Sequence, residues 1–160
     1  MKNRQRIEKS FMRRAALTLA VVVATATLTA CGHAMMMIHG TAAKRPAASD
    51  FGLGPRLSVG GRYVALLEPF QPLRLRQMQT VRVRLHDANG RAVDDAQIAI
   101  DGGLPQHGHG LPTRPLVTRC LGDGIYEIEG VRFSMGGWWE FKLVIASSRG
   151  GDVVTFNLNL

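Results

Sequence analysis

One short stretch decides the fold class: residues 81–86 read Val-Arg-Val-Arg-Leu-His, and residues 87–90 read Asp-Ala-Asn-Gly. Apolar and polar side chains alternate with a period of two, which is typical of a β-strand with one face in a core and the other in water. The pair Asn89-Gly90 tolerates positive φ angles, so a tight turn is expected directly after the strand. These ten residues predict a strand followed by a turn.

The same period continues on both sides of this strand. Apolar side chains alternate over 63–67, 96–100, 126–129, 138–145 and 154–158, and a further short strand is expected near Val117. About seven strands in roughly a hundred residues, separated by Gly and Pro turns, predict an all-β, immunoglobulin-like β-sandwich. No segment supplies the helices that a βαβ fold needs. The side chains expected in the core are Val81, Val83, Leu85, Ala96, Ile98, Ile100, Tyr126, Ile128, Trp139, Phe141, Leu143, Ile145, Val154, Phe156 and Leu158.

The first thirty residues have the pattern of an export signal. Residues 1–14 are basic and residues 15–30 carry no charge, as in the two regions of a signal peptide. The segment Leu28-Thr29-Ala30-Cys31 resembles a bacterial lipobox, which predicts cleavage before Cys31 and a diacylglycerol thioether on its sulfur. Two alternatives stay open here, namely a plain signal peptide with a chance cysteine and an uncleaved anchor.

Removal of the signal peptide changes the charge. The whole chain of 160 residues has a net charge of +8, from 20 Lys and Arg against 12 Asp and Glu. Six of the basic residues and one of the acidic residues precede residue 31, so the mature chain keeps 14 against 11, a net charge of +3. This mild charge gives no reason to expect nucleic acid as a partner. The predicted partners are membrane lipid, through acylated Cys31, and an envelope protein.

The predicted location is the periplasmic side of the cell envelope. Gly32, which follows the cysteine, favours the outer membrane over the inner membrane by the rule for enteric lipoproteins. Residues 31–60 are rich in Gly, Ala, Pro and Ser and predict a flexible tether, with the folded domain over 61–160. Within the tether, the methionines and histidines of residues 33–39 are interpreted either as an apolar patch or as a weak copper-capture site. Cys120, the other cysteine, is expected to be a small buried apolar residue.

One segment interrupts the strand pattern and carries the candidate chemistry. Residues 101–115 contain His107 and His109 among four glycines and three prolines, so this loop is constrained. In an extended backbone the side chains of residues i and i+2 share a face, and the two imidazoles are then expected to converge on one ion. The residues expected to shape the loop are Pro105, Gly108, Gly110 and Pro112.

Two imidazoles are not a complete site. The candidate third ligand is the thioether of Met135, and a sulfur with two imidazoles favours Cu(I) over zinc. His86 is a fallback fourth ligand. The alternative is that the histidines brace the loop by donating hydrogen bonds to backbone carbonyls.

Residues 78–158 resemble the YtkA-like domain, a relative of the FixH type of membrane-associated accessory protein. The resemblance rests on a Pro-x-His-x-His-Gly core that starts at Pro105 and on a Phe-x-Met-x-Gly-x-Trp pattern that starts at Phe133. It implies a secreted or lipid-anchored immunoglobulin-like sandwich, and some relatives are connected with copper handling or cytochrome oxidase assembly. The family usually has methionine at the position of Leu104, so a ligand supplied from that position would be lost in this chain.

The sequence contains no motif of an enzyme active site. It lacks a Gly-x-Ser-x-Gly nucleophile elbow, a phosphate-binding Gly-x-x-x-x-Gly-Lys loop and a His-Glu-x-x-His pair. The leading interpretation is therefore a non-enzymatic, lipid-anchored envelope binding module for copper or for a metal-dependent partner. The alternative is a structural or protein-interaction sandwich that binds no metal.

Overall fold

Strands dominate the regular structure of residues 43–160, the part of the chain that a computed structural model describes. The predictions for the signal peptide, for Cys31 and for the methionines and histidines of 33–39 lie outside the described residues. Within 43–160, no helix has the length and apolarity needed to cross a bilayer. The strands are β1 (Arg56–Leu57), β2 (Tyr63–Pro69), β3 (Gln79–Asp87), β4 (Gln97–Leu104), β5 (His109–Gly110), β6 (Leu116–Gly122), β7 (Ile125–Val131), β8 (Trp138–Ser147) and β9 (Gly150–Asn159), with 3-10 helices at Ala48–Asp50 and Pro105–His107.

The pairing order confirms the predicted fold class. One layer has the order β1-β2-β3-β7-β6, and the other has the order β4-β8-β9, with all strand pairs antiparallel. Among the seven longer strands, the first, second, fifth and fourth form one layer, and the third, sixth and seventh form the other. This is the ABED and CFG arrangement of a constant-type immunoglobulin domain. The two strands that the sequence pattern missed, β1 and β5, are only two residues long.

The two layers are joined at both edges, which makes the sandwich nearly a closed barrel. At one edge β4 pairs with β6 through Ala99 and Leu116. At the other edge, the backbone N–H of Val59 donates to the carbonyl oxygen of Val153 at 2.9 Å, and that of Gly52 donates to Asn157 at 2.9 Å. Closure of this kind leaves few unpaired backbone groups at the sheet edges.

The core consists of the side chains that the period-two pattern assigns to the inner faces. The predicted residues of β3, β7, β8 and β9 are all buried, while Ala96, Ile98 and Ile100 are partly buried and pack against this core. Tyr126 also fixes the connection between β3 and β4, because its hydroxyl donates to the carbonyl oxygen of Val93 at 2.7 Å and accepts from the N–H of Ala96 at 2.9 Å. Burial raises the pKa of Tyr126 to about 12, so this hydroxyl keeps its proton at physiological pH.

The folded part begins earlier than residue 61, which corrects the expected boundary of the tether. Leu53 packs against the core, and its carbonyl oxygen accepts from the N–H of Leu67 at 3.0 Å. Ser58 is buried, and its hydroxyl donates to the carboxylate of Asp152 at 2.7 Å. The segment lacks a period of two because it contributes single contacts to the closure of the barrel rather than a long strand.

Three side chains differ from the expected burial. Trp138 is buried although it lies on the outer face of β8, and its indole N–H donates to the side-chain oxygen of Asn157 at 2.9 Å. Glu127 is buried because Arg119 and Arg82 both form ion pairs with it. Cys120 was expected to be buried, and this is wrong: it is exposed on β6, whose pairing with β7 is interrupted by bulges around this residue.

Candidate functional site

The two histidines lie on a short loop between β4 and β5, which we call the histidine loop (residues 105–110). Leu104, the last residue of β4, is buried in the core and fixes the start of the loop. The chain then forms the 3-10 helix Pro105–His107 and reverses at Gly108, whose φ of 63° and ψ of 23° are left-handed. The backbone between the histidines is therefore not extended, which corrects the premise from which their convergence was predicted.

The turn nevertheless brings the two imidazoles together. The ring centroids of His107 and His109 are 6.1 Å apart and the ring planes differ by 24°. Both side chains are exposed. Within the described part of the chain, neither ring makes a hydrogen bond, so the alternative in which the imidazoles brace the loop finds no partner there.

The backbone braces the loop instead. The N–H of Gly108 donates to the carbonyl oxygen of Pro105 at 3.3 Å, and that of Leu111 donates to Gly102 at 3.2 Å. A Cβ atom at Gly102 would overlap the carbonyl oxygen of Glu140 on β8, and one at Gly103 would overlap the carbonyl oxygen of His109. Only glycine permits these two close approaches, and the sequence signal for them is the Gly-Gly pair that precedes the loop.

The remaining residues that were expected to shape the loop have different surroundings. Pro105 is the first residue of the 3-10 helix, where its missing N–H costs nothing. Gly110 pairs with Gly103 in the short β4–β5 ladder, yet a Cβ at Gly110 would have room. Pro112 is exposed just beyond the loop.

Met135 lies at the same end of the sandwich, on the loop that leads into β8. The indole N–H of Trp139 donates to the carbonyl oxygen of Met135 at 2.9 Å, which fixes the backbone there. A Cβ on the neighbouring Gly137 would lie 3.5 Å from a methyl group of Leu104, so this loop contacts the residue that starts the histidine loop. The Met135 side chain is 40% exposed. The structure thus places all three candidate ligands at one end of the domain.

His86 lies at the other end. It is one residue before the end of β3, whereas the Met135 loop follows Val131, which pairs with Gln79 at the start of β3. Seven residues of strand separate the two positions, or about 24 Å at the usual rise. The structure therefore does not bring the fallback ligand to the other three.

A shallow groove runs beside His109. It is lined by Asp101, Glu140 and Lys142 as well as by the loop backbone. The Glu140 carboxylate is paired with the Lys142 ammonium at 2.6 Å. Over residues 43–160, no three His, Cys, Asp or Glu side chains are grouped as metal ligands would be. A zinc site of nitrogen, oxygen and thiolate ligands is therefore not formed by these residues.

The family model described as YtkA-like matches residues 64–144, which is half of the chain. The chain belongs to the YtkA-like family. The match covers β2 to most of β8 and includes the histidine loop and Met135. Searches of the curated proteins and of the solved structures found no match.

Leu104 gains a structural explanation within this YtkA-like domain. Its side chain is 1% exposed and belongs to the core, whereas both histidine side chains are exposed. A buried side chain at this position fixes the start of the histidine loop to the core. Leu104 therefore contributes apolar packing to the core and is not part of the exposed surface that carries the imidazoles.

The strongest electrostatic features of the YtkA-like domain lie at the end opposite to the histidine loop. Hydrogen bonds from Arg91, beginning with its backbone N–H, hold the pKa of Asp87 below its usual value. Hydrogen bonding with Ser148 does the same for the pKa of Asp95. Burial acts to raise the pKa of Asp152, but donors that include Ser58 and the N–H of Gly60 outweigh it and lower this pKa well below the usual range. These carboxylates hold turns in place.

Proposed function

We propose that this YtkA-like protein is a lipid-anchored binding module of the cell envelope that takes up Cu(I) at its histidine loop. The observation that carries the proposal is the pair of exposed imidazoles at His107 and His109, held 6.1 Å apart by a left-handed turn and free of hydrogen bonds within residues 43–160. A loop that is rigid in its backbone and unpaired in its side chains is suited to a ligand.

The ring separation is compatible with one shared ion. A ring nitrogen lies about 2.0 Å from a bound metal and about 1.1 Å from its own centroid, so two imidazoles on one ion have centroids about 5.4 Å apart in a trigonal site and about 6.2 Å apart in a linear one. The two rings are stacked, so both side chains would rotate to direct one nitrogen each at the ion. Met135, at the same end of the domain, would supply a soft thioether, and this donor set suits Cu(I) better than zinc or magnesium.

The decisive experiment is a Cu(I) titration of the mature chain against a competing chelator. We compare the wild type with the His107→Ala/His109→Ala double variant, with Met135→Leu, and with His86→Ala as a matched control at the far end. We expect one tight site in the wild type and in the control, affinity at least about tenfold weaker for Met135→Leu, and loss of the site in the double variant. Equal uptake by the wild type and the double variant would overturn the proposal for this loop.

The envelope location is tested separately. We expect mass spectrometry of the membrane-purified protein to find an N-terminal Cys31 that carries acyl chains, and globomycin-type inhibition of lipoprotein processing to leave the signal peptide attached. Two or three acyl chains are enough for stable attachment to a bilayer. An intact N-terminus on a protein insensitive to the inhibitor would contradict the anchor without affecting the metal titration.

A further inference from the structure

The two ends of the sandwich differ in charge. We call the end with the histidine loop, Met135 and the β2–β3 connection the loop end, and the opposite end, with the turns 58–62, 87–96, 122–124 and 147–152, the turn end. The connecting segments of the loop end carry the basic side chains Lys44, Arg45, Arg74, Arg76, Arg114 and Arg132 and the acidic Asp50. Those of the turn end carry Arg62, Arg91 and Arg149 with Asp87, Asp94, Asp95, Asp123 and Asp152.

Exposed apolar side chains accompany the basic ones at the loop end. Phe70 is 53% exposed and Met78 is 64% exposed, and both line a cleft formed by the β2–β3 connection. The guanidinium of Arg82 lies 4.3 Å from the centre of the Phe70 ring, so a cation flanks this apolar surface directly. Apolar side chains ringed by arginines, with no acidic residue between 69 and 86, are typical of a surface that contacts a partner.

This surface is held in shape by the fold. The side chain of Gln79 accepts from the N–H of Arg74 at 2.8 Å and donates to its carbonyl oxygen at 2.9 Å. The N–H of Arg76 donates to the carbonyl oxygen of Phe133 at 2.6 Å, which ties the β2–β3 connection to the loop that carries Arg132 and Met135. The β2–β3 connection and the Met135 loop are therefore held together, and their arginines belong to one surface.

The chain also enters the domain at the loop end. The guanidinium of Arg45 donates to the side chain of Asn159 at 3.2 Å, and Asn159 pairs with Trp138 at the start of β8. Eleven residues lie between Cys31 and Ala43, so the twelve steps from one Cα to the other span at most about 43 Å even when fully extended. A lipid on Cys31 would thus limit how far the entry point, which lies at the loop end, can be from the bilayer.

We propose that the loop end is a membrane-docking surface for anionic phospholipid. The arginines would bind head-group phosphates, and Phe70 and Met78 would enter the interface beside them, as in other peripheral proteins that combine basic and apolar contacts. The proposal rests on the envelope location given above. The proposal adds that the domain has a fixed orientation on the membrane, with the histidine loop towards the bilayer and the acidic turn end away from it.

Lipid photo-crosslinking tests this orientation. Protein purified from membranes is reconstituted into vesicles of phosphatidylglycerol and phosphatidylcholine that contain a lipid with a photoactivatable group near the glycerol backbone, and adducts are located by mass spectrometry. We expect adducts at residues 70–78 and 132–135 to exceed those at 87–95 and 122–124 by about tenfold. The loop-end adducts should become fewer in vesicles of phosphatidylcholine alone, because each basic side chain near an anionic surface adds to binding. They should also become fewer in 0.5 M salt, because salt screens this attraction.

Matched variants separate charge from folding. Arg74→Glu/Arg76→Glu/Arg132→Glu should lose most of the loop-end adducts, whereas the corresponding triple lysine variant keeps the charge and should retain them. Phe70→Ser/Met78→Ser should also lose them, whereas Leu57→Ser/Val59→Ser, which removes exposed apolar surface at the turn end, should not. Circular dichroism shows that each variant is folded.

The outcomes distinguish this proposal from the anchor. Equal adducts at both ends, more adducts at the turn end, or retention of the loop-end adducts by the glutamate variant overturns the docking surface even if Cys31 is acylated. Loss of acylation with the loop-end adducts unchanged overturns only the anchor. If the photoactivated lipid labels a co-purified protein and not the loop end of this domain, the surface belongs to a protein partner and the membrane-docking proposal is rejected.

Discussion

Gly102 precedes the histidine loop and Gly110 is its last residue, and the fold makes different demands on the two. Gly102 has φ of 134°, and its Cα faces the carbonyl oxygen of Glu140 with no room for a Cβ. Gly110 has ordinary backbone angles, and the atom nearest to an added Cβ is 3.8 Å away. The loop therefore depends on the glycine that precedes it more than on the one that ends it.

A pair of alanine substitutions tests this difference. Gly102→Ala should lower the free energy of unfolding by about 3 kcal/mol or more, because a strained φ and an overlap with backbone add together. Gly110→Ala should change it by less than about 1 kcal/mol. Urea unfolding measured by tryptophan fluorescence checks both, and equal destabilisation by the two variants would contradict the assignment.

Single residues also show what the sequence could predict about the site. The spacing of His107 and His109 was sufficient to select the loop, and the alternating pattern placed Tyr126 in the core. Glu127 and Cys120 could not be placed, because their burial depends on arginines of two other strands and on bulges in β6. Such features depend on contacts between distant segments, which a local pattern does not contain.

At the scale of elements, the seven longer strands were predictable and the segment before them was not. A strand of seven or more residues repeats the alternation of apolar and polar side chains several times. The chain from Ala48 to Ser58 makes isolated contacts and has no such repeat. It includes a 3-10 helix, one bridge from Phe51 to Asn157 and the two-residue strand β1. These single contacts close the barrel, so the segment belongs to the domain and not to the tether.

Two leucines of this segment allow a direct test. Leu53 packs against the core, while Leu57, four residues later, is 65% exposed. Leu53→Ala should destabilise the domain by about 1–2 kcal/mol, since a partly buried side chain loses both transfer energy and packing. Leu57→Ala should stay within about 0.5 kcal/mol of the wild type. If Leu53→Ala and Leu57→Ala both have similarly small effects in thermal or urea unfolding, this segment is part of the tether and not of the domain.

At the scale of the whole molecule, the charged side chains at the two ends of the sandwich differ in sign and in how they are bonded. Among residues 43–160, the basic side chains of the loop-end connections form no ion pair and are exposed, which leaves them available for a ligand. The aspartates of the turn end are engaged in hydrogen bonds: Asp87 accepts from Asn89 and Arg91, Asp95 accepts from Ser148, and Asp152 accepts from Gly60. The carboxylates with lowered pKa values thus lie at the end opposite to the one proposed to function.

This division predicts how acid unfolds the protein. Asp87, Asp95 and Asp152 have pKa values below 3.8 when folded, so at pH values under about 4 the unfolded chain binds protons that the folded chain does not. Their contribution to stability is complete at neutral pH and is lost as the pH falls through the folded pKa values. The free energy of unfolding should therefore decrease steadily from pH 4 towards pH 2.

Asp152→Asn isolates the largest of the three contributions. An amide in this place keeps the shape but brings its own N–H donors towards those of Gly60 and Arg62, so the variant should be less stable at pH 7. It should also lose at least about a third of the pH dependence between pH 4 and pH 2, because one of the three carboxyl groups with a lowered pKa is gone. Asp101→Asn, at an exposed carboxylate on β4 with no side-chain hydrogen bond to the rest of 43–160, is the matched control and should follow the wild-type curve. Parallel pH curves for the wild type and Asp152→Asn in urea unfolding would show that the acid sensitivity arises elsewhere.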